Sequence, residues 1–145
     1  MIEIKSPVTK DDFKAYYAVR YKTLREPMGH LKGTEKDDYE PISKHFMAVE
    51  SETGQVLGVI KLFEKSPGVG NFSHLAIDPE HQRQGIGRML LDAVENCARE
   101  EGFKTLGTMS RVTASVYFER RGYAIRDLPT LHLGTIHLVW MEKDL

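Results

Sequence analysis

Hydrophobic residues in the first part of the chain recur first at strand spacing and then at helix spacing. Residues 2–5 alternate between apolar and polar side chains, as in a short strand. Thr9 with Asp12 three residues later forms the pattern of a capping box, which opens a predicted helix over residues 9–26, and Pro27 favours its end. One face of this helix carries Phe13, Tyr16, Tyr17, Arg20 and Leu24. The pattern predicts one strand followed by one amphipathic helix.

Three apolar runs follow, each rich in β-branched or aromatic residues. They span residues 46–50, 56–63 and 70–77, and short polar segments separate them. Such runs with tight connections predict an antiparallel β-meander. Residues 35–40, just before the meander, are mostly acidic and indicate a short second helix.

Strands and helices alternate in the rest of the chain. Residues 85–101 give the clearest helical period, and Gly102 is placed to end that helix. Its apolar stripe comprises Ile86, Leu90, Ala93, Val94 and Cys97, and its outward face comprises Arg88, Asp92, Glu95 and Arg99. A short helix is predicted over residues 113–121, and strands over 104–109, 122–126 and 135–141. The order predicts a single α+β domain, residues 1–145, with a mixed sheet and helices on both faces.

Composition and charge narrow the class of protein. Of 145 residues, 41% are hydrophobic and 28% charged, which is ordinary for a globular domain. A net charge of -1 gives no electrostatic reason to expect a nucleic-acid partner. One cysteine excludes an internal disulfide, and the spacing of the histidines supports no metal site. Without a signal peptide or a membrane-length apolar run, we expect a cytoplasmic protein with no membrane partner.

The segment between the third apolar run and the long helix has the pattern of an anion site. A strand ending in Leu75-Ala76-Ile77 leads into a polar loop, and Gln82-Arg83-Gln84-Gly85-Ile86-Gly87-Arg88 then opens the helix. Free N–H groups at a helix start attract anions, and glycines let a phosphate approach the backbone. The spacing fits neither a nucleotide P-loop nor a dinucleotide fingerprint. A diphosphate site is therefore favoured; a merely structural turn is the alternative that two glycines leave open.

This segment resembles the signature of the GNAT superfamily of N-acetyltransferases, Gln/Arg-x-x-Gly-x-Gly/Ala, which Gln82, Gly85 and Gly87 match. A second stretch, from Ala114 through Tyr117-Phe118-Glu119 to Tyr123, is similar to that family's Ala-x-x-Phe-Tyr-Glu-x-x-Gly-Phe segment. The order of elements agrees over nearly the whole chain. The resemblance implies a GNAT-type sheet, mixed and mostly antiparallel, whose central strands splay apart.

The resemblance also implies a site for acetyl-CoA. Pantetheine would lie along Leu75, Ala76 and Ile77, with a backbone N–H near Ala76 facing the thioester oxygen. The diphosphate would lie on the amides of residues 83–88. Further cofactor contacts are implied at Ala114 and Phe118, and Arg111 either binds the cofactor or pairs with an acid.

The residues that would move protons depart from the family pattern. Many members carry Glu or His at positions matching Asn71 and Ser73, and Ser73 can at most hold a water. His74 has a suitable titratable side chain, but strand alternation directs it away from Ser73 unless a bulge intervenes. It is therefore either catalytic or a structural histidine.

The tyrosine that acts as general acid in many members is replaced by Phe118. Tyr117 is the neighbouring candidate, with core packing as its alternative role, and Tyr123 is another. The thiolate can also leave without an enzyme acid.

The acceptor amine is expected beside the first helix. Arg20 lies on a mostly apolar face and is either paired or directed at a cavity, where it would bind a substrate carboxylate. Arg25 belongs to the same segment, which is otherwise a solvated helix end. The acidic residues 35–40 either attract a cationic acceptor or are a solvated helix start.

The favoured function is acetyl transfer from acetyl-CoA to a primary amine, on a small molecule or a peptide, by direct attack. The runner-up is a CoA-binding regulatory module that has lost catalysis. A weaker third interpretation is an acyltransferase that uses Cys97 as nucleophile. The resemblance also allows a homodimer formed through sheet edges.

Overall fold

The computed structural model describes residues 1–127, 129–132 and 136–145. The α-helices are α1 (Lys10–Leu24), α2 (Ile86–Glu100) and α3 (Ser115–Glu119). The strands are β1 (Ile2–Lys5), β2 (Lys44–Glu50), β3 (Val56–Ser66), β4 (Val69–Ile77), β5 (Thr105–Arg111), β6 (Ala124–Ile125), β7 (Thr130–His132) and β8 (Ile136–Asp144). Short 3-10 helices span Glu26–Met28, Glu40–Ile42, Pro79–His81 and Val112–Ala114.

All the strands belong to one sheet. Its order is β1-β2-β3-β4-β5-β8-β6, and β7 pairs with β8 beside this path. The pair β4 and β5 is parallel, with α2 in the connection between them, and the other described pairs are antiparallel. The predicted α+β class with a mixed, mostly antiparallel sheet is confirmed.

The two central strands diverge. Between β4 and β5 only Val69–Asn71 pair with Thr105–Gly107, although β4 continues to Ile77 and β5 to Arg111. The second half of β4 therefore has no strand partner on the β5 side within the described residues. This gap is the splay that the family resemblance implied.

Helices cover both faces of the sheet. On one face α2 and α3 pack on a large apolar cluster that includes Ile60, Phe72, Leu90 and Phe118. On the other face α1 packs on a smaller cluster through Tyr16 and neighbouring side chains. β3 and β4 contribute side chains to both clusters, so packing on both faces holds these two strands in place beside the point where β4 and β5 diverge.

The predicted start of α1 is confirmed, whereas the predicted helix over residues 35–40 and the predicted exposure of Glu95 are wrong. The Thr9 hydroxyl accepts from the Asp12 amide and the Asp12 carboxylate accepts from the Thr9 amide, which is the predicted capping box. Residues 35–40 form turns rather than a second helix. Glu95, predicted to face solvent, is buried because it accepts a hydrogen bond from the Tyr123 hydroxyl.

The remaining boundaries shift by a few residues. The strand predicted over residues 122–126 shortens to β6, and that predicted over 135–141 becomes β8, with residue 135 outside the described residues. β7 was not predicted.

Candidate active site

A β-bulge in β4 determines which way the central histidine points. Ser73 lies opposite Lys61 and Ala76 lies opposite Val59, so three steps along β4 match two along β3. The extra residue is accommodated at His74, whose φ of 55° is in the left-handed region. A non-glycine residue held there costs free energy, and such positions concentrate at functional sites.

The bulge brings His74 to the same face of the sheet as Ser73. His74 Nδ1 lies 2.9 Å from Ser73 Oγ. Burial, together with the positive charges of Arg20 and Lys61 on the α1 side of the sheet, lowers the pKa of His74 to about 3. The imidazole is therefore neutral at physiological pH, and it faces α1 rather than α2.

The start of α2 has the geometry of an anion site. Gly85 is the N-cap residue with φ 78°, Arg83 has φ 65°, and no side chain caps the helix. The first amides of an α-helix have no partner within the helix, so those of Ile86, Gly87 and Arg88 are available to a ligand. The loop directs these amides and the positive end of the helix dipole toward the gap beside β4.

A cavity of about 390 Å³ joins the helix start to the diverging strands. It is lined by Thr23, Leu75, Ala76, Ile77, Gln82, Arg83, Gly85, Ile86, Gly87, Arg88, Tyr117 and Arg121. Nine of these are residues that the sequence assigned to acetyl-CoA. These nine residues therefore line one cavity, and their contact with acetyl-CoA stays a prediction.

Sequence reasoning missed Thr23 and Arg121. The Thr23 hydroxyl oxygen is buried without a hydrogen-bond partner. Arg121 stacks its guanidinium 3.6 Å from the centre of the Tyr117 ring and donates to the Tyr117 carbonyl. Thr23 shares its helix face with Arg20 in the sequence, and only the tertiary structure shows that this residue lines the cavity.

Tyr117 lies over the first turn of α2. A Cβ atom on Gly87 would lie 2.7 Å from the Tyr117 hydroxyl oxygen, so glycine is required for this close approach. At the other end of the loop, Gln82 Nε2 donates to the Ile77 carbonyl at 3.4 Å. The Tyr117 hydroxyl is thus placed at the helix start.

Four residues assigned to the cofactor do not line this cavity, namely Gln84, Arg111, Ala114 and Phe118. Phe118 is buried in the core, where it packs edge-on against Phe72 at 5.6 Å. Arg111 is exposed at the end of β5. The hydroxyl of Tyr123 donates to Glu95 at 2.8 Å in the interior, so it is not available to act as a general acid.

Arg20 is paired, which is one of the two alternatives that the sequence left open. Its side chain is fully buried and donates to Glu40 at 2.9 Å and to the Tyr16 hydroxyl at 2.8 Å. Lys61, also fully buried, donates to Asp37 at 2.8 Å. A guanidinium with no exposed surface has no room for a substrate carboxylate, so Arg20 positions the segment before β2.

Arg25 is half-buried at the end of α1. Its Nε donates to the Thr34 carbonyl and its Nη1 to the Leu24 carbonyl, and Nη2 has no hydrogen-bond partner among the described residues. Of the two arginines predicted at the acceptor side, Arg25 is the one that is partly exposed and can therefore reach a ligand.

Other chemistry is less well supported. Cys97 is half-buried on α2, where burial raises the pKa of its thiol, and it does not line the cavity. Within the described residues no group of three or more His, Cys, Asp or Glu side chains is arranged to hold a metal ion. None of the helices in this part of the chain is long and apolar enough to cross a membrane.

The fold and the site define a class of protein in which two central strands diverge over a helix start. A solved candidate N-acetyltransferase from Lactobacillus plantarum superposes with a TM-score of 0.89 at 22% identity, over 99% of this chain and 98% of its own. A GNAT family acetyltransferase from Elizabethkingia anophelis, solved with acetyl-CoA bound, gives a TM-score of 0.75 at 17% identity, over 99% and 98%. At these identities the likeness shows a shared fold.

The sequence itself gives the family. Residues 42–125 match the family model described as the acetyltransferase (GNAT) domain. The chain therefore belongs to the GNAT acetyltransferases. An amino-acid acetyltransferase of Pseudomonas fluorescens (strain Pf0-1) is 31% identical over 99 residues, which is 68% of this chain and 22% of that protein. The chain thus spans about a fifth of the length of the curated relatives it matches.

Proposed function

We propose that this chain transfers an acetyl group from acetyl-CoA to a primary amine of a small molecule or peptide by direct attack. The observation that carries the proposal is the 390 Å³ cavity that joins the open amides of α2 to Leu75, Ala76 and Ile77 of β4. It combines a candidate diphosphate site with an unpaired strand edge, and that edge directly follows the bulge at His74, whose imidazole is neutral.

In this proposal the cofactor spans the cavity. The diphosphate lies on the amides of residues 86–88, and Arg83 and Arg88 offset its negative charge. Pantetheine follows Leu75 to Ile77 as an added strand, because that edge of β4 has lost β5 as its partner. The thioester then reaches the α1 side, where Thr23 contributes a buried hydroxyl.

The chemistry requires a neutral amine. Its nitrogen attacks the thioester carbonyl carbon, the C–S bond breaks, the nitrogen loses one proton, and the thiolate leaves as CoA. In this proposal His74, whose Nδ1 lies 2.9 Å from Ser73 Oγ, accepts a hydrogen bond from the amine. With a pKa of about 3, His74 is too weakly basic to deprotonate an alkylammonium whose pKa is near ~10.4. The amine therefore enters in its neutral form or loses its proton to water.

The second candidate is a CoA-binding module without catalysis. It is favoured by the positions of Phe118 and Tyr123, since the first has no hydroxyl and the second donates its hydroxyl to Glu95. If Tyr117 serves only the cofactor, neither of the two tyrosines proposed as the acid is left to protonate the thiolate. A thiolate is a good leaving group, so this arrangement also suits a slow enzyme.

The test is an assay of thiol release from acetyl-CoA against a broad panel of amines, beside thermal unfolding with and without CoA. We expect thiol release above the hydrolysis background with some amines, and a higher Tm with CoA. CoA-dependent stabilisation without turnover would refute acetyl transfer and support the CoA-binding module. No effect of CoA on Tm would overturn both.

β1 and β8 belong to the same sheet, which supports treating residues 1–145 as one catalytic domain. We further propose that it works in the cytoplasm.

A further inference from the structure

The charges buried between α1 and β3 cancel. Arg20 and Lys61 are fully buried cations, and Glu40 and Asp37 are the carboxylates that pair with them. Glu40 also accepts from the Tyr17 hydroxyl and the Asp37 amide. Two positive and two negative charges leave this cluster with no net attraction for a ligand.

Two arginines beside the cluster are less fully compensated: burial lowers the pKa of Arg25 and the charge of Glu35 partly offsets this, but these two side chains form no ion pair in the part of the chain that the structure describes. Arg111 Nη2 contacts Met28 Sδ at 3.5 Å, and the Met28 amide donates to the Arg25 carbonyl at 3.1 Å. This chain of contacts brings the end of β5 next to the end of α1. Within the described residues neither Arg25 nor Arg111 forms an ion pair.

The charge of Arg111 acts on Arg25, and the charge of Arg25 acts on His74. Burial lowers the pKa of Arg25, and the charge of Arg111 lowers it further. After burial, Arg20 and Lys61, the charge of Arg25 also lowers the pKa of His74. Arg25 is half-buried and Arg111 is exposed, and their like charges repel each other, so an anion bound between them would relieve that repulsion.

The pair is separate from the cofactor cavity. That cavity has its own cations, Arg83, Arg88 and Arg121, whereas Arg25 and Arg111 do not line it. An anion bound by the pair would thus belong to the other reactant.

We propose that Arg25 and Arg111 bind a carboxylate carried by the acceptor, so that the substrate class is an amine that also bears a carboxylate. This inference rests on the proposed acetyl transfer. Two backbone carbonyls fix the guanidinium plane of Arg25 through Nε and Nη1, and its free Nη2 is left to donate. Arg111, which contacts Met28 in the turn after Arg25, supplies a second planar donor group, and planar forks suit a carboxylate better than a lysine would.

The test uses matched acceptors that differ only in their charge. Linear ω-amino carboxylates of two to five carbons are compared with their carboxamides and with aminoalkyl phosphonates of equal length, in the thiol-release assay. The variants are Arg111→Gln, Arg25→Gln and Arg25→Lys, and the exposed Arg99→Gln on α2 is the control.

We expect carboxylates to be the better acceptors, and Arg111→Gln to raise their KM about tenfold to a hundredfold. The KM of the carboxamides and of acetyl-CoA should change little, and Arg99→Gln should leave all three unchanged. Arg25→Lys should retain less than half of the discrimination, because it keeps the charge and loses the fork. Arg111 has one sulfur contact, so Arg111→Gln tests the proposal even if Arg25→Gln fails to fold.

Three results would overturn the inference. These are equal KM values for carboxylates and carboxamides, a preference for phosphonates, or an Arg111→Gln effect on the KM of acetyl-CoA that is the same for every acceptor. The last of these results would mean that Arg111 binds acetyl-CoA instead of the acceptor. Absence of turnover with every amine would instead refute the acetyl transfer. In that event the Arg pair is tested by the Tm increase that an amino carboxylate produces with CoA present, which Arg111→Gln should abolish; no such increase would overturn it.

Discussion

The Tyr117 hydroxyl occupies the space that a Cβ atom on Gly87 would need, at a distance of 2.7 Å. This contact joins α3 to the first turn of α2, across the point where we place the diphosphate. A side chain at position 87 would both displace the tyrosine and cover the free amides.

Gly87→Glu should therefore abolish stabilisation by CoA, because it adds bulk and a negative charge at the diphosphate. At a CoA concentration of about a hundred times Kd, the lost stabilisation amounts to about 2.7 kcal/mol. Thermal unfolding with and without CoA measures it. The control is Asn96→Glu, which adds the same carboxylate on the exposed side of α2. An unchanged CoA response in Gly87→Glu would refute the cofactor site.

Thr23→Val should separate binding from stability. The Thr23 hydroxyl is buried without a partner, so its removal should leave the unliganded protein as stable as before or more so, by up to about 1–3 kcal/mol. If the hydroxyl serves the cofactor, the Kd of acetyl-CoA should rise by up to about tenfold. Calorimetric titration and urea unfolding test the two effects. An unchanged Kd would show that the hydroxyl does not contact acetyl-CoA.

His74 should make stability depend on pH. The ordinary pKa of a histidine is 6.5, and the pKa of folded His74 is about 3. As the pH falls between these two values, His74 becomes protonated in the unfolded chain but stays neutral in the folded one. The free energy of unfolding then falls by about 1.4 kcal/mol per pH unit, and above that window this contribution is constant.

His74→Gln should lose about 2 kcal/mol less than the wild type between about pH 7 and pH 5. Urea unfolding at several pH values measures this difference, with the exposed His137→Gln as control. Parallel curves for wild type and His74→Gln would mean that His74 is protonated as easily in the folded chain as in the unfolded one.

Of two Tyr→Phe variants, one should lower stability and the other should weaken the binding of acetyl-CoA. Tyr123→Phe removes a buried donor from Glu95, so it should destabilise the fold by about 1.5–3 kcal/mol and leave kcat unchanged. Tyr117→Phe should raise the KM of acetyl-CoA with little change in stability, since its hydroxyl faces the helix start. Steady-state kinetics and urea unfolding distinguish them. A large loss of kcat in Tyr117→Phe would instead make it the acid that protonates the thiolate.

The sequence was sufficient for the features that depend on periodic patterns and local spacing. The capping box at Thr9, the long helix α2 and the meander all follow from residues close together in the chain. The spacing of Gln82, Gly85 and Gly87 likewise indicated the residues that line the cavity.

Features that depend on distant partners were missed. A bulge leaves alternation readable on either side of it, so the orientation of His74 stayed ambiguous until its register against β3 was known. Lys61 lies in an apolar run and is fully buried because Asp37, far away in sequence, pairs with it. Glu95 was assigned to solvent because the sequence cannot show that Tyr123 lies above it.

The short pairing between β4 and β5 has a consequence for the order of events. Three residue pairs join these strands, so the middle of the sheet is incomplete beside the second half of β4. A cofactor lying along β4 would complete that middle and form one wall of the space in front of His74. An acceptor that arrived first would find that wall missing, which favours an ordered sequence in which acetyl-CoA enters before the amine and CoA departs last.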